Sequence, residues 1–298
     1  MLEKMKLIDK RELLSIHLAV FLFGASGLFA KFIPVSALLL TLGRALFSSL
    51  ALYMFIHFRG YSLRFAYIRD YAWNILAGVF LTIHWFFFIM SIQVSTVYIG
   101  TIMFATYPMF VLFIEPYVFK EKFQMKSLIT VIMIGIGIAF FIPAFKLNNA
   151  TTLGIIYGLI SSLAYALLGM INRRLALSYN SVVITLYEQT VATLIMTLII
   201  ALFTPHLGDG DVLNFVSLIV YGVIFTALAH SLYIHGLTKV KTQTASIISV
   251  LEPVYSIFLA ILFLHERLTY QEIIGTSIIL IAVILAMIQN ATDKKTEL

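Results

Sequence analysis

The stretch YPMFVLFIEPYVFKEK, Tyr107 to Lys122, holds two prolines and a glutamate inside an apolar run and ends in a cluster of charge. A second stretch, EPVYSIFLAILFLHER, Glu252 to Arg267, repeats its punctuation. Pro108 precedes Glu121-Lys122 by the interval at which Pro253 precedes Glu266-Arg267, and Phe113 falls on Phe258. The offset is 145 residues in a chain of 298, close to half its length. One hydrophobic segment written twice at this spacing points to two structural repeats, at residues 12–146 and 150–290.

Composition fixes the solvent of those repeats. Hydrophobic residues make up 61% of the chain and charged ones 11%, against roughly 25% charged in ordinary soluble domains. Mean hydropathy is +1.01. The chain therefore reads as an integral membrane protein of many spans, with the lipid bilayer as its solvent. The net charge of +6 then bears on topology rather than on nucleic acid. With no cysteine, disulfides and thiolate metal sites are excluded. A charged segment, 1–12, followed by the first apolar run imitates a secretory signal, but many equivalent runs follow, so the run is expected to be a first membrane helix.

A span needs roughly 20 mostly apolar residues. Ten such helices are expected, at 13–31, 36–57, 71–91, 95–119, 127–144, 152–171, 181–203, 213–235, 240–264 and 270–289. The tightest connections fall at Ile92–Val94 and near Gly236–Lys239. With a cytoplasmic N-terminus, sixteen of the twenty lysines and arginines lie in cytoplasmic segments. These are the N-terminal tail, the loops around Arg64, Lys122, Arg174 and Lys239, and the C-terminal tail. The opposite side carries Lys31, Lys146 and Arg267, and Arg44 is inside a helix. This asymmetry places both termini in the cytoplasm.

Five spans per half is an odd number, so the second half enters the membrane upside down. The expected fold is all-α and polytopic, with ten transmembrane helices as two inverted five-helix repeats around a central cavity. Inverted repeats of this kind build alternating-access carriers, whose sites lie between the halves near the midplane.

The ten spans, the inverted halves, the Pro-x12-Glu-[Lys/Arg] ends of the fourth and ninth helices and the FGAS at Phe23–Ser26 resemble the drug/metabolite transporter superfamily. More narrowly, residues 13–290 resemble its EamA-type ten-helix transporters of bacterial inner membranes. The resemblance implies a basket around a cavity lined chiefly by the first, third, fourth, sixth, eighth and ninth helices. It also implies substrates as varied as amino acids, nucleosides, sugar phosphates and drugs. Phe23-Gly24 stands where the first helix of the family often has Trp-Gly.

Charges within a bilayer cost roughly 2.5–3.5 kcal/mol each on insertion scales and need a reason. There are four: Arg44, Glu115, Glu188 and Glu252. Glu252 precedes Pro253 as Tyr107 precedes Pro108, and both prolines are expected to kink their helices at mid-span. Kinks leave carbonyls available to a substrate, so Tyr107 and Glu252 are candidate cavity residues from opposite halves. A structural bond to a neighbouring helix is the alternative for Glu252. Gly43-Arg44 aligns with Glu188-Gln189 at the repeat offset. Coupling or gating is one reading of that pair; a structural or snorkelling role is the other, since those helices are mostly peripheral in the family. Glu115 beside Pro116 is a candidate for the cytoplasmic gate.

His84 and Trp85 in the third helix, with His230 and Tyr233 in the eighth, occupy comparable places in the two halves and are candidate substrate contacts. Imidazole titrates near neutrality, and aromatic faces can stack a planar solute. Tyr98 and Gln243 are weaker candidates at the starts of the fourth and ninth helices. Glu121 and Glu266 are read as structural, each favoured by the N-terminal dipole of the helix that follows. Gly154–Gly158 has the small-xxx-small spacing of helix packing, and Asp209-Gly-Asp211 is too short for a calcium loop.

Among other function classes, Gly24-Ala25-Ser26-Gly27 with His230 imitates the serine–histidine dyad of rhomboid-like intramembrane proteases. That pattern sets its pair two helices apart, whereas these lie in the first and eighth. HExxH, Walker A, GxSxG and dinucleotide signatures are missing, so no enzyme and no cofactor are expected. The sequence is read as a secondary carrier for a small organic metabolite, an exporter driven by a gradient, with protons as coupling ion. A passive channel is the alternative. A monomer or homodimer in the inner membrane is expected.

Overall fold

The computed structural model describes residues 2–120, 125–141, 149–203, 212–237, 240, 248–249 and 251–296. The side chains of 2–10, 125–127, 212, 237 and 286–296 are outside that description. In chain order the helices are α1 (Leu2–Phe32), α2 (Ala37–Arg59), α3 (Ile68–Val94), α4 (Val97–Phe104), α5 (Tyr107–Phe119) and α6 (Met125–Ala139). There follow α7 (Ala150–Leu175), α8 (Ser181–Phe203), α9 (Val212–Gly222), a π-helical turn at Val223–Leu228, α10 (Ala229–Leu237), α11 (Leu251–Leu264) and α12 (Tyr270–Thr296). Among the described residues, seven segments are long and apolar enough to span a bilayer, counting α4–α5 and α9–α10 as one each. Three shorter apolar helices, Leu128–Ala139, Leu251–Leu264 and Tyr270–Leu285, occupy the remaining expected spans.

Local chemistry sets the helix ends. Ser36, Thr96 and Asn149 cap α2, α4 and α7 by accepting the backbone N–H of Leu39, Ile99 and Thr151, which satisfies donors that have no intrahelical partner. Thr269 and Glu272 form a reciprocal capping box at the start of α12, with Thr269 N–H on Glu272 Oε2 at 2.7 Å and Glu272 N–H on Thr269 Oγ1 at 3.3 Å. The link between the third and fourth spans is Ser95-Thr96, two residues later than the sequence suggests, because α3 continues through Val94.

Pro108 does not kink a continuous helix. The fourth span breaks at Ala105-Thr106, and Pro108 stands in the first turn of α5. Pro108 is well placed there, since the missing N–H belongs to a group without an intrahelical acceptor. Pro253 is the third residue of α11, and residue 250 before that helix lies outside the described residues.

The repeat is legible in the backbone. Lys120 and His265 are the non-glycine residues with positive φ among those described, at 57° and 55°. They lie 145 positions apart and end α5 and α11 in the same left-handed turn. Helix packing follows the same two-fold relation. As α3 packs along α7, the eighth span packs along α1; as α1 packs on α11, α7 packs on α4 and α5. The self-related pairs α2–α8 and α6–α12 also pack together. Gly154 and Gly158 bring α7 against Ser95 and Met103, the close packing expected of their spacing.

Large apolar side chains face outward on many helices, among them Leu194, Leu198 and Leu202 of α8 and Phe258, Ile261 and Leu262 of α11. In hydrocarbon this exposure carries no hydrophobic penalty. Outside the spans, Tyr179 donates to Asp70 Oδ2 at 2.5 Å and accepts the N–H of Ala66 at 3.0 Å, tying the 61–67 loop to the end of α7. The bond to the Asp70 carboxylate raises the Tyr179 pKa above its ordinary value.

Candidate functional site

A cavity of about 370 Å³ opens between the two halves, within the roughly 300–1,000 Å³ range of small-molecule pockets. Its walls combine residues from both repeats: Arg44, His84, Trp85 and Tyr107 of the first, and Glu188, His230, Tyr233, Glu252 and Pro253 of the second. It reaches toward the α7–α8 link, where Asn172, Ser181 and Thr185 line it.

Aromatic rings form most of the chamber. His84, Phe104 and Tyr165 meet with centroids 4.8–5.1 Å apart, and Tyr107 stands 5.1 Å from Tyr165 and 5.7 Å from Phe104. Phe23 of α1 approaches His230 at 5.0 Å and Tyr233 at 6.2 Å. His84 Nδ1 lies 2.8 Å from Ser161 Oγ, which fixes the ring against α7. Ser249 donates to the Tyr233 hydroxyl at 3.3 Å.

Arg44 neither snorkels nor sits at the periphery. It is 5% exposed, and its guanidinium lies 4.4 Å over the Trp85 ring and 5.3 Å from that of Tyr221. Its Nε donates to Thr226 Oγ1 at 2.9 Å and its Nη1 approaches the Tyr221 hydroxyl at 3.5 Å. Thr226 belongs to the π-helical turn and donates its hydroxyl to the Tyr221 carbonyl at 3.2 Å. A desolvated cation–π contact contributes about 2 kcal/mol, and π-turns recur at functional sites. The Arg44 charge acts on His84, His230 and Glu252.

The repeat positions the helical turns that carry Arg44 and Glu188 alike. Gly222 packs on the carbonyls of Gly43 and Arg44, where an added Cβ would stand 3.1 Å from each, and Gly78 packs on the carbonyl of Glu188, where it would stand 3.0 Å away. Each charged turn is thus pressed against a neighbouring span where a glycine allows it. Glu188 is 3% exposed and Gln189 fully buried. The Asn172 side chain is the hydrogen-bond partner of the Glu188 carboxylate.

Three further candidates lie off the cavity wall. Glu115 lies outside the cavity wall and forms an ion pair with Arg173 of α7. Glu266 does not serve the helix that follows it. Its carboxylate accepts the backbone N–H of Val97 at 2.9 Å and of Tyr98 at 3.3 Å, at the start of α4. Tyr98 donates its hydroxyl to Glu272 at 2.6 Å and lies off the cavity. Ser26 lines the cavity but gives its proton to the Phe23 carbonyl at 2.7 Å. Glu121, Asp209, Asp211 and Gln243 lie outside the described residues.

Sequence reasoning missed Phe88, Phe104, Tyr165, Asn172, Ser181 and Thr185 as wall residues. Asn172 was the one available signal, a polar side chain near the end of an apolar run. An aromatic residue on an all-apolar helix gives no clue to whether it faces lipid or cavity.

A fold of broken helices packed with inverted symmetry around a polar-spotted aromatic cavity defines a class, the multi-pass membrane transporters. The chain belongs to the EamA-like transporter family, which matches residues 10–142 and 152–288. The family's ten helices in two inverted repeats account for the spans described above. Among its relatives is the uncharacterized transporter YxxF of Bacillus subtilis (strain 168), 23% identical and covering 94% of this chain and 92% of that protein. The uncharacterized inner membrane transporter YicL of Salmonella typhimurium is 25% identical over 94% of this chain and 96% of its own. A transporter of Archaeoglobus fulgidus is 26% identical over 67% of this chain and 70% of its own. A crystal structure shares the fold at a TM-score of 0.63 and 16% identity, covering 93% of this chain and 97% of that one.

Proposed function

We propose that the chain is a secondary carrier that exports a small amphipathic organic solute, such as an amino acid or a nucleoside, by alternating access. It works as a monomer or homodimer in the inner membrane, with both termini in the cytoplasm. The observation that carries the reading is the cavity itself: an aromatic chamber between inverted halves, with Arg44, Glu188 and Glu252 as its charged groups. Aromatic walls suit a planar or apolar body, and a few fixed charges orient a polar end. The cavity reaches the α7–α8 end, the side to which the positive-inside count assigns the cytoplasm. On the other side, Lys31 and Glu266 bond to the α3–α4 link, contacts that suit a closed outer face. The conformation is then the inward-facing one, ready to load from the cytoplasm.

Tryptophan-fluorescence melting of the purified protein against a metabolite library identifies ligands, since a bound ligand stabilises by mass action. Flux of a hit into reconstituted vesicles then tests the mechanism. Saturation and counterflow are expected; linear, non-exchanging flux would make the protein a passive channel.

A further inference from the structure

The cavity contains a polar corner that the protein does not complete from its own groups. Glu188 Oε1, Gln189 Oε1 and Nε2, and Asn172 Oδ1 are buried without a hydrogen-bond partner among the described residues. Glu188 and Gln189 are 3% and 0% exposed, and all three side chains line the cavity. Unpaired buried polar atoms are costly and rare in folded proteins, so four in one corner mark a place filled from outside the chain.

The pattern of those atoms selects the occupant. Three are acceptor oxygens, one of them on a carboxylate, and a primary ammonium carries three N–H donors and no acceptor. Asn172 holds the Glu188 carboxylate, which leaves Oε1 as the charged acceptor. Tyr165 lines the same chamber, so an aromatic wall faces the apolar body of an ammonium-bearing solute. A divalent metal is poorly matched, since the described residues contain no group of three histidine, aspartate or glutamate side chains able to hold one.

We propose that Glu188, Gln189 and Asn172 form an ammonium subsite, so that the transported solute carries a primary ammonium group on an aromatic or apolar body. The inference rests on the carrier reading and narrows its substrate class to ammonium-bearing solutes, setting aside neutral and purely anionic ones.

The probe is phenethylammonium, with 2-phenylethanol as its neutral isostere and 3-phenylpropionate as its anionic counterpart. Binding is read on purified full-length protein by tryptophan-fluorescence melting and by quenching of Trp85, a cavity residue. Phenethylammonium is expected to bind saturably and at least about tenfold tighter than either counterpart, because a charge-assisted bond is lost in both. Glu188→Gln is expected to remove that preference while monodispersity on size exclusion is kept. Equal affinity for all three probes, or no binding of phenethylammonium to the wild type, overturns the subsite. So does a preference that survives Glu188→Gln but is lost in Glu252→Gln, which would put the ammonium at the other carboxylate. The wild-type comparison stands even where a variant folds poorly. Saturable flux of a solute without an ammonium group would sink this inference alone and leave the carrier intact.

Discussion

The Glu266 carboxylate closes on the backbone of Val97, across the boundary between the two repeats, at 2.9 Å. With Tyr98 N–H on its other oxygen, it satisfies two free donors at the start of α4. Lys31 does the complementary work on the preceding helix, donating to the carbonyls of Ile92 and Ser95 at 2.9 and 2.8 Å and of Gln93 at 3.3 Å. Both ends of one helix–helix link are therefore held by charges from elsewhere. The repeat mate of Lys31 is Ala176, so this clasp has no counterpart lysine on the other face.

That clasp should be an outer gate. Glu266→Ala leaves two N–H groups unpaired and should cost about 2 kcal/mol in the closed-outside state. A cysteine placed at cavity residue Ser26 should then react faster with an impermeant thiol reagent from outside. The chain has no native cysteine, so the background is clean. Unchanged labelling would show that the outer face is closed by other contacts.

The inverted topology predicts a pattern of labelling on intact cells. Cysteines at Ser36 and Tyr270, exposed in the links before α2 and at the start of α12, should react from outside. Cysteines at Ser62 and Leu177 should not. Reaction of Ser62 and Tyr270 from the same side contradicts the two inverted halves.

Arg44→Lys keeps the charge but loses the planar fork shared with Thr226 and the stack on Trp85. Initial flux should fall at least tenfold, on the order of 1.4 kcal/mol, while the protein still purifies as a monodisperse species. Wild-type flux in this variant would reduce Arg44 to a generic positive charge.

Alkaline stability should depend on Tyr179. Its folded-state pKa is raised, first by the bond to Asp70, so the folded protein holds the phenolic proton more tightly than the unfolded chain. The contribution is present below the ordinary tyrosine value of about 10 and is lost as pH rises through the folded value. Tyr179→Phe should lower the melting temperature at pH 8 and narrow the difference from wild type above that range. A constant offset at every pH would show that Tyr179 acts through packing alone.

Much of this architecture is legible in the sequence because the bilayer restricts the choices. Apolar length, loop charge and the repeated Pro-x12-Glu segment suffice for span number, inversion and the placing of Tyr107 beside a central chamber. His84, Trp85, His230, Tyr233 and Glu252 were found because polar and indole groups are conspicuous in apolar runs. What could not be read was the end state of Pro108. The same Pro108 that removes a donor from a long helix also starts a new one, and only the turn at Ala105-Thr106 decides between them. Nor does the sequence disclose that the Glu266 carboxylate reaches across to α4, since a bond spanning 169 positions leaves no local pattern.

Glu252 is the group on which proton coupling should depend. It stands in the first turn of α11 beside Pro253, faces the cavity, and feels the Arg44 charge. A carboxylate in such a place can take up a proton when the chamber faces one side and release it to the other. Glu252→Gln keeps the shape and most of the hydrogen bonding but removes titration. Solute exchange between equal pools should therefore persist, whereas accumulation against a gradient should vanish. The measurement uses reconstituted vesicles with and without an imposed pH difference, wild type and variant side by side. Gradient-driven accumulation equal to wild type in the glutamine variant would remove Glu252 from the coupling path. A wild-type protein indifferent to the pH difference would make the carrier a uniporter driven by the solute alone.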